Sequence, residues 1–303
     1  MLYTSPAPSE TSALRAVSRK AGCALLAVCV LQLAAAPLAL LRPHLPPMGD
    51  ALWFSLIVLL SSLTVLGGAL VGVRLLGFRR QAEPRAPLFP DSPLLVVAGA
   101  ALCMAGNFAA LLVERLAGRF GVEFHGGPAQ VVPQGAPGLL LALLTTALLP
   151  AVTEELLLRG TILPALRPFG DAFAVVCTAA LFALLHQNMQ QAPMAFVSSL
   201  ALGWVSVRGG RLLLPILVHL WNNAAAAVLL LFPERAANVY MLLLFAVGAL
   251  SLMYLFLHRP QREKPMCALP PGHRAANFFF GSLAMPLSLA YFVVVIVLNT
   301  KFS

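Results

Sequence analysis

Two adjacent glutamates, an arginine, two histidines and paired asparagines interrupt otherwise apolar stretches of this chain, and together they could build a hydrolytic site. They occur as Glu154-Glu155-x3-Arg159, Phe182-x3-His186 and His219-x3-Asn223. An ionisable side chain in a lipid-spanning segment costs roughly 2.5–3.5 kcal/mol on insertion scales, so such groups tend to be paired or functional. Glu155 and Arg159 are four residues apart and share a helix face, within reach of an ion pair. Glu154 points about 100° away, which leaves its carboxylate free to act on a water as a general base. Phe182 and His186 share a face by the same spacing, as do His219 and Asn223; Asn222 lies off that face. An imidazole can hold or deprotonate water, bind a metal or donate to an oxyanion, and an amide can donate to an oxyanion. Each cluster alone also has a plainer reading: charges facing headgroups at a helix end, or single interhelical hydrogen bonds.

The elements that must position these groups are membrane helices. The chain has 303 residues, 60% hydrophobic and only 10% charged, with a mean hydropathy of +0.88. A soluble globular protein carries about 25% charged residues, so the composition indicates an all-α polytopic membrane protein. At about 20 residues per crossing, nine candidate spans fall near 21–41, 51–73, 93–113, 138–158, 172–187, 191–207, 212–232, 237–257 and 277–298. The expected fold is a bundle of about eight to nine transmembrane helices around a buried polar site. Three segments follow: N-terminal helices over 1–137, a core carrying the clusters over 138–232, and C-terminal helices over 233–303. The basic start, Arg15, Arg19 and Lys20, followed by a long apolar run, reads as a first span rather than a cleaved signal peptide.

With the N-terminus inside, fifteen of the twenty Lys and Arg fall in cytoplasmic segments, Arg159 among them, and five fall outside. This asymmetry favours a cytoplasmic N-terminus, and the net charge of +9 reads as loops facing anionic lipid rather than nucleic acid. The region 172–207 carries no formal charge but is broken by Gln187-Asn188-Met189-Gln190-Gln191 and Pro193. Two short spans fit the charge rule best; a broken or re-entrant helix is the alternative. Four of the five cysteines (Cys23, Cys29, Cys103, Cys177 and Cys267) lie in apolar stretches, and none forms a CxxC pair.

The three clusters, in this order on successive apolar helices, resemble the CPBP family of intramembrane proteases. That family includes type II CAAX prenyl endopeptidases and bacterial Abi-type proteins linked to bacteriocin processing and immunity. The resemblance covers about residues 138–228. It implies an intramembrane endopeptidase in which Glu154 activates water with help from His186, and His219 and Asn223 stabilise the tetrahedral oxyanion. Glu155 and Arg159 would support the site, with Phe182 packed beside it. The family has been described both as metalloproteases and as glutamate-dependent enzymes. His186, His219 and a Glu could hold zinc, but the helical HExxH pattern is absent. There is also no G-x-S-x-G elbow or P-loop, and Ser198-Ser199 reads as small hydroxyl residues packing helices together.

The expected partners are membrane lipid and a peptide or membrane-anchored protein precursor, and the Ala-, Leu- and Pro-rich composition suggests a bacterial cytoplasmic membrane. The competing function is a non-enzymatic membrane adaptor or immunity protein of the same fold. A transporter would also bury Glu and His, but the polar clusters sit in the middle third rather than in two matching halves.

Overall fold

The computed structural model describes residues 8–44, 49–78, 91–124, 135–258, 272–298 and 300–302. Cys267 and most of the basic 258–274 loop lie outside them. Among the described residues ten helices, as numbered here, form the bundle. They are α1 (Pro8–Ala35, running on as a 3-10 helix over Ala36–His44), α2 (Asp50–Leu76), α3 (Ser92–Gly118), α4 (Gly135–Phe169) and α5 (Asp171–Leu185). The chain continues through α6 (Ala192–Gly209), α7 (Leu213–Val228), α8 (Glu234–Leu257), α9 (Gly272–Phe280) and α10 (Ala284–Leu298). Among the described residues six helical stretches are long and apolar enough to cross a membrane, and the chain is an integral, multi-pass membrane protein. All nine expected segments are helical. The last is broken by a turn at 281–283 that divides α9 from α10.

Lateral packing relies on small residues, because lipid supplies no hydrophobic drive between helices. A Cβ on Gly22 of α1 would lie 2.5 Å from the backbone nitrogen of Met285 on α10. One on Gly106 of α3 would lie 2.9 Å from the carbonyl of Met194 on α6. Across the same contact Ser198 Oγ donates to the Cys103 carbonyl at 3.2 Å, and Cys103 Sγ donates to the Ser198 carbonyl. Large side chains such as Leu140, Leu144, Leu148 and Val152 make an exposed stripe on α4, suited to acyl chains.

Polar contacts near the helix ends fix which ends share a side. Ser18 of α1 meets the Phe279 carbonyl and Ser282, and Arg208 at the end of α6 donates to the carbonyls of Leu255 and His258. Towards the opposite ends, Arg42 pairs with Asp50. There too, strand β1 (Val122–Phe124) pairs antiparallel with β2 (Thr300–Phe302). Those groupings agree with the sidedness that alternating crossings require. A single long span over 172–207 would have placed β1 and β2 on opposite sides.

The 172–207 region is a helical hairpin of α5 and α6. Gly170, at φ 119°, allows the sharp corner between α4 and α5, and Arg167 Nε donates to Asp171 Oδ1 across it at 2.8 Å. At 1.5 Å per residue, α5 rises only about 22 Å, less than the roughly 30 Å hydrocarbon core. The run from Phe169 back to Glu154 on α4 covers a similar length, and α4 continues beyond Glu154 to Gly135. The hairpin tip therefore stops level with Glu154. Its backbone is satisfied locally: the Asn188 carbonyl accepts from the nitrogens of Gln191 and Ala192, and Asn188 Oδ1 accepts from Gln190 N. Gln187, at φ 51°, donates to Gln32 Oε1 of α1 at 2.6 Å. Irregular backbone at membrane depth is tolerated where protein covers it in this way.

Candidate functional site

Helix α4 supplies the acidic cluster, and its prolines shape it. Pro150 has no N–H to give the carbonyl of Thr146 four residues back, and its ring crowds that carbonyl. The helix widens to π-helical turns over Leu143–Leu148, and again over Leu158–Ile162 ahead of Pro164. Such π-turns often mark functional sites. The Thr146 carbonyl accepts instead from Asn223 Nδ2 of α7 at 3.3 Å. Asn222 Nδ2 donates to Asn223 Oδ1 at 3.3 Å, so both ends of the Asn223 amide are held and its plane is set.

Glu155 and Arg159 form the expected ion pair, Arg159 Nη1 to Glu155 Oε1 at 2.9 Å, with both side chains fully buried. This corrects the expectation that Arg159 counts among the cytoplasmic cations. It lies inside the bundle, leaving fourteen cations against five by the same tally, and the helix continues past it to Phe169. A guanidinium can stay there because it is paired and hydrogen-bonded. Arg159 Nη2 donates to Ser199 of α6 twice, to Oγ at 2.6 Å and to the carbonyl at 2.8 Å. Ser199 is thus more than the packing residue its sequence context suggests.

The same Glu155 oxygen lies 3.0 Å from His219 Nδ1 on α7. A carboxylate paired with arginine only accepts, which assigns the proton to Nδ1 and leaves Nε2 with a lone pair when the ring is neutral. His219 Nε2 faces Glu154 Oε2 at 3.8 Å. That is too long for a direct hydrogen bond and leaves room for a water within reach of both atoms. His219 is buried, whereas the Glu154 side chain keeps 20% of its surface. The two adjacent carboxylates therefore divide as helix geometry requires: Glu155 inward to Arg159, Glu154 towards His219 Nε2 with part of its surface exposed.

His186, at the hairpin tip, places Nδ1 2.9 Å from the carbonyl of Phe182, so it too presents Nε2. The Phe182 ring packs edge-on against both imidazoles, 4.6 Å from His186 and 5.7 Å from His219 between centroids. The Arg159 guanidinium lies 5.4 Å from the same ring centre. Phe182 therefore contacts both histidines and the guanidinium. Among the described residues no hydrogen bond joins His186 to Glu154, and the imidazole that faces Glu154 is His219. All seven expected residues converge on one region where α4, α5 and α7 meet.

Among the described residues no group of three His, Cys, Asp or Glu side chains forms a metal-ligand set. The candidate ligands His186 and His219 each pack against the Phe182 ring.

Sequence reasoning missed the Glu155–His219 contact, the Ser199 clamp and the Thr146 carbonyl. Only the last had a local signal: a proline four residues downstream within an apolar helix.

Among known families, the one described as type II CAAX prenyl endopeptidase Rce1-like matches residues 136–225. No curated protein and no solved structure matches the chain.

Proposed function

We propose, from the match of residues 136–225 to the family described as type II CAAX prenyl endopeptidase Rce1-like, that the chain is an intramembrane endopeptidase acting on a membrane-associated peptide or protein. The observation that carries this reading is the half-buried Glu154 carboxylate, 3.8 Å from a His219 ring whose far nitrogen is held by Glu155. A water seated between Glu154 Oε2 and His219 Nε2 gives its proton to Glu154 as its oxygen attacks the scissile carbonyl carbon. The carbonyl π-bond opens to an oxyanion, and the free N–H of Asn223 stabilises it. Asn223 is suited to this because its amide is already oriented by Thr146 and Asn222. Collapse of the intermediate breaks the C–N bond, and Glu154 returns the proton to the leaving amine. His219 serves as the second contact of the water, and His186, packed against the same Phe182 ring, as a further base.

The test is a comparison of peptide termini in membranes from cells expressing wild type or Glu154→Gln at equal levels. New termini that require Glu154 establish proteolysis and define the cleavage sequence. Identical termini would reject hydrolysis and favour an adaptor that uses the family fold to hold a partner.

A further inference from the structure

We infer that Ser199 is a positioning residue of the site, setting the orientation and tautomer of His219 through Arg159 and Glu155. The consequence for catalysis rests on the endopeptidase reading; the contacts do not. They run as direct hydrogen bonds from α6 to His219, whose Nε2 then faces the Glu154 carboxylate. Ser199 Oγ and its carbonyl accept from Arg159 Nη2 at 2.6 and 2.8 Å. Arg159 Nη1 donates to Glu155 Oε1 at 2.9 Å, that oxygen accepts from His219 Nδ1 at 3.0 Å, and His219 Nε2 faces Glu154 at 3.8 Å.

Three features give Ser199 this role. Ser199, Arg159 and Glu155 are each fully buried, so water cannot substitute for a lost contact. Arg159 Nε has no hydrogen-bond partner among the described residues, so the guanidinium plane is fixed by Glu155 on its own helix and by Ser199 on another. A single Glu155 oxygen serves both Arg159 and His219, while Oε2 has no partner among the described residues. Any rotation of the guanidinium therefore moves the oxygen that holds the imidazole. Ser199 also sits on the second arm of the hairpin whose tip carries His186. The same bond thus ties the depth of that tip to α4.

Removing the hydroxyl leaves the Ser199 carbonyl as an acceptor for Arg159. The expected result is lost orientation rather than lost fold. Ring-15N-histidine NMR of the full chain in detergent reads this directly and needs no substrate, with the His219 signals assigned by their disappearance in His219→Ala. Wild type should show His219 as one neutral tautomer, protonated at Nδ1. Ser199→Ala should show a mixture of both tautomers at unchanged thermal stability, and Ser199→Thr should restore the single form. If Ser199→Ala does not accumulate, Ser199→Cys, of similar volume but with a weakly accepting sulfur, should give the mixture. A wild-type His219 spectrum in the folded Ala or Cys variant would overturn the inference. Where Glu154-dependent cleavage is found, kcat should fall between about tenfold and a hundredfold in Ser199→Ala with KM nearly constant. A single wild-type tautomer without any cleavage would support the relay and reject the endopeptidase reading.

Discussion

Replacing Arg159 by methionine should destabilise the bundle far more than its sequence position suggests. The side chain is fully buried, and it carries an ion pair to Glu155 and two hydrogen bonds to Ser199. Methionine matches its length and much of its volume, so cavity formation contributes little. The main cost is the Glu155 carboxylate left charged in a dry interior with only His219 as partner. Removing one member of a buried pair costs about 3–5 kcal/mol. At roughly 2–4 °C per kcal/mol for a chain of this size, the melting temperature should drop by about 6–20 °C. Thermal unfolding of the purified protein in detergent, followed by circular dichroism, measures this. The double variant Glu155→Gln/Arg159→Met removes both charges and should recover much of the loss, since the penalty lies in the unpaired charge. An Arg159→Met protein melting within about 2 °C of wild type would refute the buried-pair argument. So would a double variant less stable than the single one.

Other outcomes follow from the same contacts. Asn223→Ala removes the donor to Thr146 O, which should cost about 1 kcal/mol of stability and lower kcat by about 10²–10³ if Asn223 faces the oxyanion; thermal melts and cleavage rates separate the two effects. Gly22→Val places side-chain atoms against the Met285 backbone, so α1 and α10 must part, at a cost of about 1–3 kcal/mol visible as a lower melting temperature. Single cysteines at Gly210 and Pro233, at opposite ends of α7, should label from opposite sides of intact cells, with Gly210 reached only from the cytoplasm. Labelling of both from one face would reject the crossing of α7.

The membrane-helix class and the identity of the clustered polar residues are legible in the chain's one-dimensional pattern. Apolar length dictates membrane helices, and the i,i+4 spacing already pairs Glu155 with Arg159 and turns Glu154 away from both, because helix geometry is local. The same spacing places Phe182 against His186 and His219 beside Asn223. Tertiary structure decided the partnerships that cross between helices. It turned Glu155 towards His219, so that the imidazole facing Glu154 is His219 rather than His186, and it gave Ser199 the guanidinium. It also placed Arg159 inside the bundle: a one-dimensional count sees a cation at the end of an apolar run, whereas the continuing helix and the neutralising contacts exist only in three dimensions. The hairpin is the intermediate case. Its turn is written in Gln187 to Pro193, but its depth follows from where the corner at Gly170 starts α5 and from how far α4 runs past Glu154. Contacts within one helix depend on spacing along the chain; contacts between helices depend on packing, and at this site packing decides which imidazole faces Glu154.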